Sequence, residues 1–392
     1  MISRSILLAL LGGTTALVVA HAIGRFAYTP LLPYFLADGL FDLQQGAHLA
    51  TWNYVGYLAG ALAAVALYTP ARLHLAVPLS LLANTLITVA QGFTQNYEAL
   101  LVLRLLNGIS NGLVFVLAPA LVLEWLAQRK SAHLSGLVYL GFAAGLLLTG
   151  WLADAPANQL HGAQRWWPMA IVALPLAVLS ICLLRRLHLH TADTPGPHAT
   201  HGRLFDSTSS RLFLAYAGAG LGYILPMTFL PTLAQQQLPA GHSLITGAWQ
   251  WAALACLLST PLWNALGARH GDRRALIATY ILQAIGTAAP LLWPGVVGIT
   301  LCAVLVGGTF IGSVLLTQRL GRTLQPHQGP RLSAALIALY GGTQLAGPWL
   351  AGLWIGQGGS LTQSFMLGVA ALLWAWFWTC SIPRRLPTGA QL

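Results

Sequence analysis

Residues 6–36 of the chain read ILLALLGGTTALVVAHAIGRFAYTPLLPYFL, an apolar stretch that contains one arginine, Arg25, and one histidine, His21. An α-helix needs about 20 apolar residues to cross a hydrocarbon core of about 30 Å. The apolar core of a signal peptide is shorter, about 7–15 residues, and a small-residue cleavage site follows it. We therefore expect this stretch to be a membrane-spanning helix rather than a cleaved leader.

The rest of the chain repeats this pattern. It is 56% hydrophobic and 7% charged, with a mean hydropathy of +0.69, whereas soluble domains carry about 25% charged residues. The apolar stretches predict helices at 6–36, 47–69, 74–92, 98–123, 132–152, 167–184, 211–233, 243–266, 275–293, 296–320, 332–356 and 361–381. The predicted fold class is an all-α integral membrane protein with twelve transmembrane helices.

The basic residues occupy alternate gaps between these stretches. Of the 19 Lys and Arg residues, Arg165 lies in an odd-numbered gap, Arg25 and Arg104 lie inside apolar stretches, and the others lie in even-numbered gaps and the two tails. That last group is Arg4, Arg72, Arg129, Lys130, Arg185, Arg186, Arg203, Arg211, Arg269, Arg273, Arg274, Arg319, Arg322, Arg331, Arg384 and Arg385. Positive charge is retained on the cytoplasmic side, so we expect a multi-pass protein of the inner (plasma) membrane with both termini cytoplasmic. The net charge of +11 then faces anionic membrane lipids and does not indicate nucleic-acid binding.

No residue pattern indicates a cofactor, a metal site or an enzyme. The four cysteines stand singly in apolar stretches, without the spacing of metal or redox pairs. The string at 108–112, GISNG, fits the G-x-S-x-G pattern of hydrolases. That chemistry needs a strained strand-to-helix turn, whereas this string lies inside an apolar helix. We expect neither a cofactor nor catalysis.

The longest gap, 185–210, is polar and contains Pro, Gly and Ser, which is typical of a linker. It divides the twelve helices into six plus six. The predicted organisation is an N-terminal six-helix bundle at 1–184, a cytoplasmic linker at 185–210 and a C-terminal six-helix bundle at 211–392.

The two halves share sequence features. Gly24 precedes Pro33 by nine residues in the first half, and Gly222 precedes Pro231 by nine in the second. The fourth helix of each half carries two glycines four residues apart, on one helix face where backbones can approach closely. These pairs are Gly108 with Gly112 and Gly308 with Gly312. Two equivalent halves around a central path are typical of transporters, and one chain of this design suffices, so we expect a monomer.

Four segments resemble one known family. They are GRFAYTPLLP at 24–33, NYVGYLAG at 53–60, GYILPMTFLP at 222–231 and GGTFIG at 307–312. Together they resemble the YbfB/YjiJ-type family of the major facilitator superfamily of transporters. The resemblance implies twelve helices in two pseudo-symmetric bundles, alternating access and a small-molecule substrate. It also implies that helices one, four, seven and ten surround a central cavity.

Arg25 and Arg104 are the two charges that lie inside apolar stretches. Such a charge costs at least about 2.5 kcal/mol and usually faces the protein interior or a wet cavity. Both stand about 28–30 Å from the inner ends of their helices at 1.5 Å per residue, so they could lie at one level. Guanidinium groups recognise carboxylates bidentately, and no acidic residue lies deep in a helix. We therefore expect a small organic anion, with Arg25 as its main contact; the alternative is that each arginine snorkels or caps backbone carbonyls.

The expected substrate-binding residues are the polar residues that the predicted helices place towards the centre. They are Arg25, Tyr28, Asn53, Arg104, Asn107, Tyr223, Gln250, Thr309 and Gln344. The first half supplies the positive charge, and the second half supplies neutral polar groups.

His21 lies one helical turn from Arg25 and is the candidate for proton coupling, because histidine titrates near neutral pH. A packed, hydrogen-bonded histidine is the alternative. At the inner helix ends, the segment 266–274 resembles the cytoplasmic loop motif of the superfamily. Glu124, Arg72 and Arg269 are therefore gating candidates, with a Glu124–Arg72 ion pair as one arrangement.

Two other functions fit the sequence. A proton-coupled exporter of amphipathic or cationic drugs or metabolites would share the helices, although the shortage of buried carboxylates disfavours cations. A membrane sensor that binds a solute without moving it would also share them. Substrate flux separates the sensor from the carriers.

Overall fold

The computed structural model describes residues 3–154, 159–189, 206, 209–325 and 329–383, and within these ranges the regular structure is helical. The long helices are α1 (Arg4–Ala37), α2 (Leu43–Leu67), α3 (Pro70–Gln91), α4 (Tyr97–Ala127), α5 (Leu134–Asp154), α6 (Gly162–Leu184), α7 (Ser209–Gln237), α8 (Leu244–His270), α9 (Asp272–Leu292), α10 (Val296–Leu324), α11 (Gly329–Gly356) and α12 (Leu361–Ser381). Of these described helices, all except α11 are long and apolar enough to cross a membrane, eleven in total, and α11 has 28 residues.

Capping side chains fix the start of some helices, and α2 begins earlier than its apolar stretch for this reason. Asp42 accepts a hydrogen bond from the Gln45 amide at 2.7 Å, and the Gln45 side chain accepts one from the Asp42 amide at 3.0 Å. This capping box starts α2 at Leu43 instead of residue 47. Ser360 and Gln363 form the same arrangement at the start of α12.

The middle of α1 is a π-helix, Val18–Phe26, in which the backbone forms i→i+5 hydrogen bonds. The Ala27 amide, for example, donates to the Ala22 carbonyl at 2.8 Å. Side chains of α4 bind two backbone carbonyls in this segment. Asn111 donates to the Ala20 carbonyl at 2.8 Å, and Arg104 donates to the Gly24 carbonyl at 3.2 Å. The sequence did not predict this segment.

Close helix contacts hold each half together. A methyl group on Gly56 would overlap the Leu105 carbonyl, and one on Gly108 would overlap the Asn53 carbonyl, so α2 and α4 touch backbone to backbone. In the second half, the equivalent contact between α8 and α10 uses Gly307, which faces Ala252.

The prediction that both Gly308 and Gly312 of α10 make close helix contacts is therefore correct for one of the two. Gly312 packs tightly against Trp263, but a methyl group on Gly308 would lie 3.8 Å from Ala255, an ordinary contact. The close approach is shifted by one residue, because the Gly308 carbonyl instead accepts a hydrogen bond from the Trp263 indole at 2.6 Å.

Most of the predicted linker, residues 190–205 with 207 and 208, lies outside the described residues. The bundle boundaries therefore stay a prediction. Helices α1 and α12 respectively begin and end at one end of the molecule, which we call the terminal end. The opposite end, where α1 meets α2 and α7 meets α8, is the far end.

Three neutral hydrogen bonds that join the two halves lie towards the far end. Thr29 donates to the Met227 carbonyl at 2.9 Å, and the hydroxyls of Tyr54 and Thr228 are 2.9 Å apart. The Trp249 indole donates to the Leu146 carbonyl at 3.0 Å. The groups in these three bonds are neutral, so none of the three contacts is an ion pair.

An ion pair organises the far end of the first half. Arg165 donates through Nε and Nη2 to the two Asp38 oxygens at 2.5 and 2.8 Å, and the Gly162 amide adds a third bond at 2.6 Å. Partial burial pushes the pKa of Asp38 up, but the hydrogen bonds from Arg165 and Gly162 outweigh it and hold the pKa below its ordinary value of 3.8. Asp38 thereby ties the end of α1 to the start of α6.

We expect Asp38→Asn to lower the thermal unfolding temperature at pH 7, with a free-energy loss of about 2 kcal/mol. Because folding depresses this pKa, the stabilisation is complete above the ordinary pKa and is lost as the pH falls through the folded value. The gap between wild type and variant should therefore shrink between pH 5 and pH 3. Glu98→Gln, which neutralises an exposed carboxylate, is the control; a gap for Asp38→Asn that stays constant down to pH 3 would contradict the assignment.

Candidate polar site between the two halves

Arg25 lies where the two halves meet, and its side chain is 3% exposed. Its Nη2 donates a short hydrogen bond to Oε1 of Gln344 on α11. The guanidinium carbon is 4.2 Å from the ring centre of Tyr57, 4.6 Å from that of Tyr54 and 5.0 Å from that of Phe26. Cation–π contacts of this kind stabilise a desolvated cation. Its Nε has no hydrogen-bond partner among the described residues.

No described acidic residue forms an ion pair with Arg25. The ion pairs between described residues join Asp38 to Arg165 and to His161, and Asp272 to Arg319. The oxygen that accepts the hydrogen bond from Arg25 thus belongs to a neutral amide, that of Gln344. A buried cation without a counterion is costly, and this site holds one.

Arg104 is also buried, at 2% exposed, but it belongs to the packing of the first half. It caps the Gly24 carbonyl at 3.2 Å, and its guanidinium carbon lies 4.5 Å from the ring centre of Tyr28. The Arg104 carbonyl accepts a hydrogen bond from Asn53 at 3.0 Å. The alternative of carbonyl capping, raised from the sequence for both arginines, describes the geometry of Arg104.

The other expected residues of the first half share in this network. Asn53 donates to Oδ1 of Asn107 at 3.2 Å, and Asn107 donates to Thr88 at 3.4 Å. Tyr28 donates to the Gly46 carbonyl at 2.8 Å. These side chains hold α1, α2, α3 and α4 in place around Arg25.

In the second half, the expected residues differ in whether their side chains contact Arg25. Gln344 contacts Arg25 directly. The Thr309 hydroxyl donates to the carbonyls of Leu305 and Val306 in its own helix. Gln250 is half-buried, and its side chain faces Gly150 on α5.

A series of ring contacts crosses the site from one half to the other. Phe26 on α1 contacts Phe142 on α5 at 5.4 Å between ring centres, and Phe142 contacts Phe310 on α10 at 6.0 Å. Phe310 stacks on Tyr223 at 5.4 Å, and Tyr223 stacks on Tyr340 at 5.3 Å, both nearly parallel. We call these five residues the ring series.

His21 is 5% exposed and lies beside the ring series. Its Nδ1 is 2.9 Å from Oδ1 of Asn111. Because the Asn111 amide nitrogen already donates to the Ala20 carbonyl, its oxygen accepts and Nδ1 of His21 donates. The imidazole stacks on Phe115 with ring centres 4.2 Å apart, and Phe115 contacts Tyr139, which is 47% exposed.

At the terminal end, the suggested Glu124–Arg72 ion pair is not formed. Arg72 donates to the Ala66 carbonyl at 3.0 Å, and Glu124 hydrogen-bonds the Tyr68 hydroxyl instead. Arg72, in the first turn of α3, is instead bonded to a carbonyl in the last turn of the preceding helix α2.

Arg269, the third gating candidate, is exposed at the end of α8. The ion pair at this position joins Asp272 on α9 to Arg319 on α10 at 3.1 Å, and Arg319 also donates to Asn264 at 2.8 Å. Arg319 was missed as a partner. The sequence placed Arg319 with the basic residues of the gap after the tenth helix, whereas it lies within the last turns of α10, beside α9.

The sequence pointed to Tyr54 and Tyr223 but not to the other aromatic side chains near Arg25. Tyr57 follows Asn53 by four residues and so shares its helix face, which was an available signal. Phe142, Phe310 and Tyr340 stand in apolar stretches, and nothing in their spacing separates them from residues that face lipid.

Two helical halves that meet around buried polar and charged residues are typical of membrane transporters. Two solved structures of the nucleoside transporter NupG share this fold. A point mutant of NupG aligns with a TM-score of 0.75 over 96% of this chain and 99% of that chain. The unmutated protein aligns with a TM-score of 0.74 over 98% of this chain and 100% of that chain. Sequence identity is 11% in both cases, so the likeness is one of fold alone.

The chain belongs to the family described as "Uncharacterised MFS-type transporter YbfB", which matches residues 17–378. It is therefore a multi-pass secondary transporter of the major facilitator superfamily and not an enzyme. A curated relative from Cupriavidus pinatubonensis (strain JMP 134 / LMG 1197), named "Probable 4-methylmuconolactone transporter", is 27% identical over 252 residues, 58% of this chain. The chain spans about half the length of that relative, 55%.

Proposed function

We propose that the protein carries a small organic anion and that the Arg25 guanidinium is its main contact. The observation that carries this proposal is a buried arginine between the halves whose acceptor is a neutral amide. A carboxylate would form charge-assisted hydrogen bonds with this guanidinium, which are roughly twice as strong as neutral ones. The relative named for 4-methylmuconolactone supports the same class, because that lactone carries one carboxylate.

Transport would proceed by alternating access between the two halves. In the structure the halves are joined towards the far end by neutral hydrogen bonds. Gln344 holds Arg25 from the opposite half, so separating the halves at this end also frees the guanidinium. A substrate that binds Arg25 in place of Gln344 therefore changes the contacts that hold the far end closed.

The experiment is a thermal-shift panel on the purified full chain followed by flux in proteoliposomes. The panel contains 4-methylmuconolactone and benzoate as anions, phenylalanine as a zwitterion and tetraphenylphosphonium as a cation. We expect stabilisation by anions and flux of a stabilising anion. Stabilisation by the cation alone would favour a drug exporter, and stabilisation without flux would favour a sensor.

We propose proton coupling through His21. Its ring is buried, bonded to Asn111 and linked through Phe115 to the exposed Tyr139, so it lies between Arg25 and the terminal end. Histidine is the side chain whose ordinary titration falls near neutral pH, which makes His21 the candidate carrier of the coupled proton.

For the second prediction, we expect His21→Gln to flatten the pH dependence of anion uptake between pH 5.5 and 8 while leaving binding within about threefold. Glutamine retains a side-chain hydrogen bond to Asn111 but does not titrate. The measurement is the initial rate of uptake at matched protein content. If the uptake rate of the variant kept the wild-type dependence on pH, His21 would be only a packing residue. The matched control is His48→Gln, at a half-buried position in α2.

We further propose that the carrier lies in the inner (plasma) membrane as a monomer with both termini in the cytoplasm. The distribution of basic residues supports this orientation. The terminal end would then face the cytoplasm, and the far end the outside.

A further inference from the structure

We propose that the transported anion is a flat, conjugated monocarboxylate, an aromatic or similarly unsaturated acid with one negative charge. This inference rests on the proposed function and narrows the substrate class. It follows from three properties of the site: the number of cations available, the number of free polar groups and the chain of aromatic rings.

One cation is available to the substrate. Arg25 donates to the Gln344 amide oxygen of the opposite half, whereas Arg104 donates to the Gly24 carbonyl and lies over Tyr28 within the first half. Nε of each guanidinium has no partner among the described residues, so what separates the two is that Arg25 lies between the halves. A phosphate or a dicarboxylate would bring a second negative charge without a partner, at a high desolvation cost. The site therefore matches a single carboxylate.

The polar groups around Arg25 are few and mostly bonded; in the ring series, the Tyr340 hydroxyl has no partner among the described residues. The Tyr54 hydroxyl pairs with Thr228, and Thr309 bonds its own helix. A sugar acid would bury hydroxyl groups without hydrogen-bond partners, and each such group raises the free energy of the bound state. An amino acid would in addition leave an ammonium group without an acid, because no described acidic residue pairs with this site.

The remaining surface near Arg25 is aromatic and comes from both halves. The ring series runs from Phe26 beside the guanidinium to Tyr340 on α11, and each link is an aromatic contact. Phe310 is its central member, 3% exposed, with Phe142 on one side and Tyr223 on the other. Aromatic pairs favour offset or edge geometries, so a flat ring that binds Arg25 can exchange one such contact for another.

The Gln344 amide oxygen marks where the carboxylate would bind. It accepts from Nη2 of Arg25, and Nε of the same guanidinium has no partner among the described residues. A carboxylate can accept from both nitrogens at once, whereas the amide oxygen accepts from one. The conjugated part of the acid would then extend along the ring series.

The test compares two ligands of equal charge and similar size, benzoate and cyclohexanecarboxylate, by calorimetric titration of the full chain in lipid nanodiscs. We expect wild type to bind benzoate about three- to tenfold more tightly, the range that one aromatic contact provides. Phe310→Leu should remove this preference. Phe365→Leu, the same change at a buried position in α12 outside the ring series, should keep it.

The outcomes separate this inference from the proposed function. Equal binding of the two acids by wild type, or a preference that survives Phe310→Leu, would overturn the conjugated class and leave an anion carrier. Tighter binding of phthalate than benzoate would overturn the single-charge argument. Failure of both acids together with binding of tetraphenylphosphonium would overturn the proposed function as well.

Discussion

Arg25→Ala is expected to reduce anion uptake and anion binding by about 100-fold or more, because it removes the buried cation that pairs with the carboxylate. Arg25→Lys should keep part of the activity, with a loss of about tenfold, since an ammonium retains the charge but not the planar fork of donors. The measurements are calorimetric titration with benzoate and flux of the anion that stabilises wild type most. A loss in both readouts that is larger for alanine than for lysine is the expected pattern.

The matched control is Arg129→Lys. Arg129 also lies against an aromatic ring, 3.7 Å from the centre of Trp125, and also bonds a backbone carbonyl, but it is at the terminal end. We expect wild-type binding from this variant. Thermal unfolding in the absence of ligand shows whether each variant is folded; a folded Arg25→Ala protein with full, equally selective uptake would rule out the anion site.

Gly108→Ala is the second large effect, and it acts on folding. A methyl group there would overlap the Asn53 carbonyl on α2, so α2 and α4 would have to separate along a backbone contact. Overpacking of a tight core typically costs about 1–3 kcal/mol and occasionally more. Because backbone atoms cannot rotate away, we expect a loss at or above the top of this range, visible as little folded protein in size-exclusion chromatography.

The pseudo-equivalent residue of the other half provides the control. A methyl group at Gly308 would lie 3.8 Å from Ala255, an ordinary contact. Gly308→Ala should therefore leave yield and thermal stability close to wild type, although the sequence places both glycines in the same motif. Equal sensitivity of the two positions would contradict the shifted packing seen between α8 and α10.

The helices could be predicted because their length and apolarity carry the information. Stretches of about 20 apolar residues between polar gaps leave few alternatives, and the structure confirms the all-helical fold. The helix ends were less accurate, since a capping pair such as Asp42 and Gln45 is polar and lies outside the apolar pattern. The π-helix in α1 was not predictable, because it depends on donor side chains of α4 that lie far away in the sequence.

The site was predictable in composition but not in arrangement. Buried polar residues stand out in apolar helices, which is why Arg25, Arg104 and Gln344 were all selected. Their separate uses depend on how the helices pack: Gln344 is 319 residues from Arg25 in sequence, and Arg104 meets a carbonyl that only the π-helix presents. Of the ring series only Tyr223 was selected, since membrane helices are rich in aromatic side chains wherever they face.

The neutral closure of the far end has an electrical consequence. Apart from the bond between Arg25 and Gln344, the hydrogen bonds that join the halves there involve hydroxyl, indole and carbonyl groups, so rearranging them separates no charges. A monoanion on Arg25 would cancel the site's charge, and the empty site would keep it. Moving one elementary charge across a membrane changes the free energy by about 2.3 kcal/mol for each 100 mV of membrane potential. In such a carrier the voltage acts on the return of the unloaded transporter, and a proton bound at His21 would add one charge to the otherwise neutral loaded step.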